Sequence, residues 1–295
     1  MKTKEIVVIS GKGGTGKTSV TAAFAMLAGS GAVISDCDVD AANLHLLMNP
    51  MELFKENFYS GQHAEIAQSK CTKCEKCREI CRFNAIYTDA PVFGIDTAAC
   101  EGCAYCSYIC PENAITMRDN LAGKIYFTNT RFKSKFIYAH LEIGAENSGK
   151  LVTKVRQEAA RFAEMQAAPF IITDGSPGIG CPVIASLTGA HFAVVVTEPS
   201  LSGFHDLKRV YELTAGFNIP GGCIINKSTM NESITGKIEE YLKENNIPLI
   251  SKIPYDDIFT TALSEGKILT EYREKPVSSI LTESWNKITQ LINQN

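Results

Sequence analysis

Residues 11–18 read Gly-Lys-Gly-Gly-Thr-Gly-Lys-Thr, which fits G-x-x-x-x-G-K-T. In that pattern the glycines let backbone N–H groups turn inward around an anion, and the lysine brings a cation to the β- and γ-phosphates of a nucleotide. Gly11, Gly13, Gly14, Thr15, Gly16 and Ser19 are therefore candidate nucleotide contacts, with Lys17 on the phosphates and Thr18 as a ligand of Mg²⁺. A second set of residues able to do chemistry lies among the eleven cysteines. Eight of them form two runs, Cys71-x-x-Cys74-x-x-Cys77-x-x-x-Cys81 and Cys100-x-x-Cys103-x-x-Cys106-x-x-x-Cys110, and each member recurs 29 positions later (71 to 100). The repeat extends beyond the cysteines, since Asn84-Ala85-Ile86 returns as Asn113-Ala114-Ile115. Three thiolates at i, i+3 and i+6 on a tightly wrapped loop can cap three irons of one cubane, the fourth ligand coming from elsewhere. A zinc site would take four ligands as two C-x-x-C pairs or with histidines, and would leave four of these cysteines unexplained.

The elements around these residues follow from apolar runs. Ile6–Ile9 reads as a buried strand before the glycine turn and Ser19–Leu27 as the helix after it. Ala32–Ser35 reads as a second strand running into Asp36-Cys37-Asp38-Val39-Asp40. A strand ending in acidic residues beside a phosphate loop is placed to reach Mg²⁺ and its waters, whereas Asp40 suits the cap of the next helix. Between Asn49 and about Ser69 the strand and helix rhythm stops. It resumes after the cysteine runs with strand-like stretches at 123–128 and 136–143, a helix start at Ser148-Gly149-Lys150 and a helix over about 151–167. Phe170-Ile171-Ile172-Thr173-Asp174 is a strand ending in an acid, followed by Gly175 to Gly178. Further strands at Phe192–Thr197, Gly222–Asn226 and Pro248–Ile253 alternate with helices at Leu201–Ala215 and Ile234–Asn245. This alternation predicts an α/β fold, a mostly parallel, doubly wound sheet covered on both faces. Asn226 and the Pro254–Asp256 segment end two of the strands, at the edge where nucleotides bind in such sheets. In the last helix Val277, Leu281, Trp285, Ile288 and Ile292 recur at helical spacing, with Lys287 the basic residue on a face of Ser, Thr, Asn and Gln. A lipid-binding helix carries several lysines or arginines, so this stripe reads as core.

A net charge of −3 over 295 residues gives no basic face for nucleic acid, and no apolar run approaches the ~18 residues of a membrane-spanning helix. The first ten residues lack the apolar core of a signal peptide, so a cytoplasmic location and no membrane insertion are expected. In a reducing compartment, a cysteine-rich chain points to metal or redox chemistry rather than to disulfides.

The extra lysine of K-G-G-T-G-K-T, Lys12, resembles the deviant Walker A of the MinD, ParA, ArsA and nitrogenase iron-protein superfamily. The resemblance implies a P-loop ATPase that closes as a dimer around ATP, with Lys12 reaching the partner's nucleotide. The segment from Asp36 to Asn43 resembles the D-x-D-x-x-x-x-N of MinD-like ATPases, which implies Asp36 near the metal and Asp38 orienting the attacking water. By the same resemblance Asp174 holds Mg²⁺ through water, Gly178 senses the γ-phosphate, and Asn226, Pro254 and Asp256 flank adenine. The cysteine runs resemble those of bacterial two-cluster ferredoxins, in which the fourth cysteine of each run ligates the other cluster. That implies Cys71, Cys74, Cys77 and Cys110 for one [4Fe–4S] cluster and Cys100, Cys103, Cys106 and Cys81 for the other, with Arg82 where the second run has Pro111. Cys181 stands where the iron protein has a cluster cysteine. No second core cysteine lies between Cys110 and Cys181, so it is read as a buried or incidental thiol.

Together these resemblances imply an ATPase domain of residues 1–55 and 135–295, interrupted by a two-cluster, α+β ferredoxin-like domain over 56–134. The expected cofactors are ATP or ADP, Mg²⁺ and two [4Fe–4S] clusters. The expected activity is ATP hydrolysis to ADP and phosphate, coupled to electron transfer. An Mrp-like iron–sulfur carrier and a MinD- or ParA-like positioning ATPase are the alternatives. The expected partners are a second copy or a paralogous ATPase and a redox or iron–sulfur client.

Overall fold

The computed structural model describes residues 2–89, 92–142, 144–145 and 148–294. Its first elements are β1 (Lys4–Ser10), α1 (Lys17–Ala28), β2 (Ala32–Asp36), α2 (Leu44–Met48) and β3 (Met51–Ile66). There follow α3 (Lys76–Ile80), β4 (Ile86–Asp89), β5 (Val92–Ile95), α4 (Tyr105–Ile109), β6 (Ile115–Asn129) and β7 (Lys135–Leu141). The chain closes with α5 (Ser148–Met165), β8 (Phe170–Pro177), α6 (Cys181–Leu187), β9 (Phe192–Thr197), α7 (Leu201–Gly216), β10 (Gly221–Ile225), α8 (Glu232–Glu244), β11 (Leu249–Lys252), α9 (Ile258–Glu265) and α10 (Pro276–Gln294).

Nine strands form one sheet in the order β11-β10-β9-β1-β8-β2-β7-β6-β3. β1 pairs in parallel with β8 and β9, and the parallel pairing continues outward through β2 to β7 and through β10 to β11. The reason for two helical layers is visible in β1, where every residue from Ile6 to Ile9 is fully buried. Ile6 and Val8 join the core under α1 and α10, whereas Val7 and Ile9 join the core under α6, α7 and α8. Alternation along the strand thus feeds two apolar layers. All five apolar residues of the α10 stripe lie in the first of these cores, and Trp285 packs on Phe24 and Phe170.

The chain divides into two compact units: Met1–Glu56 with Ile125–His140 and Ser148–Asn295, and Asn57–Lys124 with Leu141–Asn147. The second is shorter than the 56–134 expected. Ile125 and Phe127 are buried, and Phe127 stacks on Phe54 and packs on Phe162, which assigns the end of β6 to the first unit. Two further expectations are corrected here. The stretch after Asn49 is not irregular, because β3 runs sixteen residues from Met51, mostly exposed and therefore without the alternation that marks a half-buried strand. Asp40 does not cap α2, whose N-cap is Asn43. Ile143, the expected end of the strand that became β7, lies outside the described residues.

In the second unit the 29-residue repeat is also a repeat of backbone. Left-handed residues recur in pairs at Lys73 and Gly102, Glu75 and Ala104, and Asn84 and Asn113. Cys81 (φ −71°, ψ 106°) and Cys110 (φ −68°, ψ 112°) match closely, so the turn is the same with Arg82 after it as with Pro111. A small core of Ala64, Ile66, Ile86, Phe93 and Ile115 backs six of the eight cysteines.

Candidate functional site

The turn between β1 and α1 needs glycine for two reasons. Gly16 is left-handed at φ 90°, and a Cβ there would run into the Nδ2 of Asn226. That Nδ2 donates to the carbonyl of Thr15 at 2.8 Å, so the end of β10 pins the loop. Thr15 Oγ1 is buried inside the loop with no hydrogen-bond partner, an orphan that a bound phosphate or its metal would satisfy.

Lys17, buried at the start of α1, places Nζ 3.0 Å from Asp174 Oδ1 and 3.5 Å from Asp38 Oδ2. Asp174 also accepts from Thr18 Oγ1 and Thr21 Oγ1, both at 2.8 Å. The register explains the cluster, because Asp36 sits opposite Asp174 in the β2–β8 pair. Asp36 is fully buried, and its two oxygens accept the N–H groups of Asp38 (3.0 Å) and Leu44 (3.2 Å), which fixes the loop that carries Asp38. Burial, then the charge of Asp174, pushes the Asp36 carboxyl well above the usual range, with Lys17 opposing. Burial also raises Asp38, Lys17 again opposing. Burial alone would discharge Lys17, but Asp174, Asp38 and Asp36 outweigh it and hold its ammonium above the ordinary value. Asp174 and the Thr18 hydroxyl, in contact beside the ammonium of Lys17, form a donor pair that a divalent cation would take up. Thr18 and Asp174 are the residues that would hold it.

Lys12 is not part of this cluster. Its Nζ lies 2.5 Å from Glu198 Oε1 and bonds Ser200 Oγ (3.0 Å) and Ser202 Oγ (3.1 Å) of the same chain. Glu198 also takes Lys227 Nζ at 2.7 Å, and Lys227 reaches the carbonyl of Gly14 at 3.0 Å. Burial works against the Glu198 charge, but hydrogen bonds from Lys12 and Lys227 keep its carboxyl below the usual range. Gly178 is left-handed at φ 93° and donates its N–H to the carbonyl of Ser10 at 2.8 Å, tying the turn after β8 to the phosphate loop. Asp256 accepts the N–H of Ile258 at 2.9 Å at the start of α9, and Pro254 precedes it in the same turn. Gly11 is packed on Asp206, while Gly13 and Gly14 leave open space. Ser19 is buried in α1, whereas Cys181 begins α6 exposed rather than buried.

Glu198 and Thr21 escaped the reading of the sequence. Thr21 follows Lys17 by four positions on one helix face, and Glu198 ends a strand at the edge that carries the phosphate loop, so both signals were present.

In the second unit the thiols line two cavities. One is lined by Cys71, Cys74, Cys77 and Cys110, the other by Cys81, Cys100, Cys103 and Cys106. The cavities are nearly equal, with about 360 and 400 Å³ of empty space including open solvent. Each takes three cysteines from one run and the fourth from the other. Among the described residues no three His, Cys, Asp or Glu side chains converge to hold a single metal ion. Thiols spaced around a void fit a multi-iron cluster better than one ion.

The sequence profile of the CobQ/CobB/MinD/ParA nucleotide binding domain matches residues 6–269. The chain belongs to this family. The chain is similar to the protein MJ0578 of Methanocaldococcus jannaschii, 31% identical over 292 residues, 98% of this chain and 97% of that one. A second protein of that organism, MJ0579, is 27% identical over 276 residues, 91% and 92% of the two chains. A ferredoxin of the same organism, MJ0155, matches over 56 residues at 36% identity, 18% of this chain and 37% of that one. Among solved structures, the septum site-determining protein MinD complexed with Mg-ADP from Pyrococcus horikoshii superposes with a TM-score of 0.60 at 18% identity, covering 98% and 97% of the two chains. MinD of Aquifex aeolicus gives 0.57 at 16%, covering 97% of each. At these identities the likeness shows the fold. Among the described residues no helix is long and apolar enough to cross a membrane.

Proposed function

We propose that the protein hydrolyses ATP and couples its nucleotide state to electron transfer through two [4Fe–4S] clusters. The observation that carries the redox half is the pair of cavities, each lined by four thiols drawn crosswise from the two cysteine runs. The partial likeness to a ferredoxin supports it. Bound clusters would supply reversible one-electron storage. The chain would furnish eight thiolate ligands, a small apolar core behind them and backbone N–H groups toward sulfur.

In the ATPase half, the buried Lys17 and the N–H groups of residues 13–18 bind the phosphates. Thr18 and Asp174 hold Mg²⁺, and Asp38 orients the attacking water, on a loop fixed by Asp36. The likeness to a MinD complexed with Mg-ADP supports this assignment. We further propose a cytoplasmic dimer, formed with a second copy or a paralogue. The two relatives in one organism, MJ0578 and MJ0579, are consistent with paired paralogues.

Anaerobically purified protein should carry about eight irons and eight sulfides per chain and show paramagnetic resonance of reduced [4Fe–4S] clusters. Lys17→Ala should lose tight ATP binding while keeping its iron. Colourless protein with zinc, or with no metal, sinks the redox half and favours the positioning ATPase suggested by the MinD neighbours. Transfer of the iron to an apo-protein would favour the carrier.

A further inference from the structure

We propose that the two cavities hold clusters of unequal potential. The one lined by Cys71, Cys74, Cys77 and Cys110 is the more easily reduced, so an electron entering at the other cavity passes to it. This rests on the cluster reading above and concerns what the chain's own side chains do to each cluster.

The repeat makes the molecule its own control. Positions related by 29 residues occupy matching places in the two cavity walls, and the backbone there is the same. The side chains are not. Lys76 lines the first cavity where Tyr105 lines the second, Lys73 stands where Gly102 does, and Glu112 corresponds to Phe83. The wall of the first cavity carries Lys73, Lys76, Glu75 and Glu112, a balance of zero. The wall of the second carries Glu101 and no cation, a balance of minus one, with Ile80, Phe83 and Tyr105 making the rest of it apolar. A hydrogen bond adds to the difference. The N–H of Ala114 donates to Cys110 Sγ at 3.4 Å, whereas among the described residues Ala85 makes no such bond to Cys81.

The balance of these differences favours reduction at the first cavity, because its two glutamates are offset by two lysines, whereas the second wall has a glutamate and no cation. Reduction adds one negative charge to a cluster. Lysines and an N–H to sulfur stabilise that charge, while a carboxylate without a cation beside it opposes it. The step itself is the transfer of one electron from a reduced [4Fe–4S]⁺ to an oxidised [4Fe–4S]²⁺, with no bond or proton moved. The second cavity's cluster is first reduced by an external low-potential one-electron donor. Because Lys73 and Lys76 are exposed, part of the difference should be screened by salt.

The test is a redox titration of the full-length, iron-loaded protein followed by paramagnetic resonance, on wild type, Lys76→Tyr, Tyr105→Lys and the double exchange. Wild type should titrate in two resolved steps. Lys76→Tyr should lower the higher midpoint, Tyr105→Lys should raise the lower one, and the double exchange should close or invert the gap. Iron-loaded wild type with coincident steps overturns the proposal, as do exchanges that leave the midpoints where they were or move the opposite step. Iron and sulfide analysis on the same samples separates the two levels, since iron-free protein overturns the cluster reading itself.

Discussion

Asp174 is the residue on which the nucleotide half of the molecule turns. It receives the ammonium of Lys17 and the hydroxyls of Thr18 and Thr21, so it sets the position of the lysine proposed for the phosphates and of the threonine proposed for the metal together. Asp38 has a different environment. It stands at the rim with a 3.5 Å contact to Lys17, free enough to act on a water. These placements separate binding from turnover. Asp38→Asn should keep ATP affinity nearly unchanged and lower turnover by about 10²–10⁴-fold, the range for losing a group that orients or deprotonates the nucleophile. Equilibrium nucleotide binding and phosphate release, measured on the same preparation, check this, and full turnover in the variant would remove Asp38 from the reaction.

Among the elements, β1, α5 and α6 are joined by a buried ion pair that does not touch the nucleotide site. Arg156 of α5 binds both oxygens of Glu5 in β1, at 2.8 and 2.5 Å, and its other nitrogen reaches the carbonyls of Ala185 and Thr188 at the end of α6, both at 2.7 Å. Glu5 is further held by Thr173 of β8 at 2.9 Å, which in turn meets Ser35 of β2. The strand that carries the phosphate loop is thus locked to the helix that follows Gly178. Arg156→Ala leaves a carboxylate buried without its partner, and a loss of about 3–5 kcal/mol is expected. Urea unfolding followed by Trp285, the single tryptophan, reports on this unit directly. Adding Glu5→Gln to Arg156→Ala should recover part of the loss, because the unpaired charge is then gone.

At the scale of the whole molecule, the open question is association. Lys12, the lysine expected to reach a partner, is held by its own chain's Glu198, Ser200 and Ser202. Reaching outward therefore requires breaking a short ion pair. Lys12→Ala should abolish ATP-dependent association. Glu198→Gln should strengthen it, because a neutral amide holds the ammonium less well. Sedimentation without nucleotide, with ADP and with a non-hydrolysable ATP analogue checks both. If the two variants behave alike, Glu198 has no part in releasing Lys12.

Local chemistry made much of this legible from the chain alone. A glycine loop between an apolar strand and a helix, acids at strand ends and strands alternating with helices are statements about neighbouring residues, and β1, α1, β2, β8, β9 and α10 lie where those statements put them. The repeat of the cysteine runs is likewise written in spacing. Tertiary structure decided what depends on residues far apart. The parallel register sets Asp36 beside Asp174 across 138 positions, and pairing across the sheet seats Glu198 between Lys12 and Lys227. The long strand β3 was hidden because its exposed residues carry no period, and a strand held by its neighbour's backbone needs none. The unequal walls of the two cavities were equally out of reach. The repeat shows which positions correspond, but only folding brings a residue from one run, such as Phe83, to the wall of the cavity lined mainly by the other.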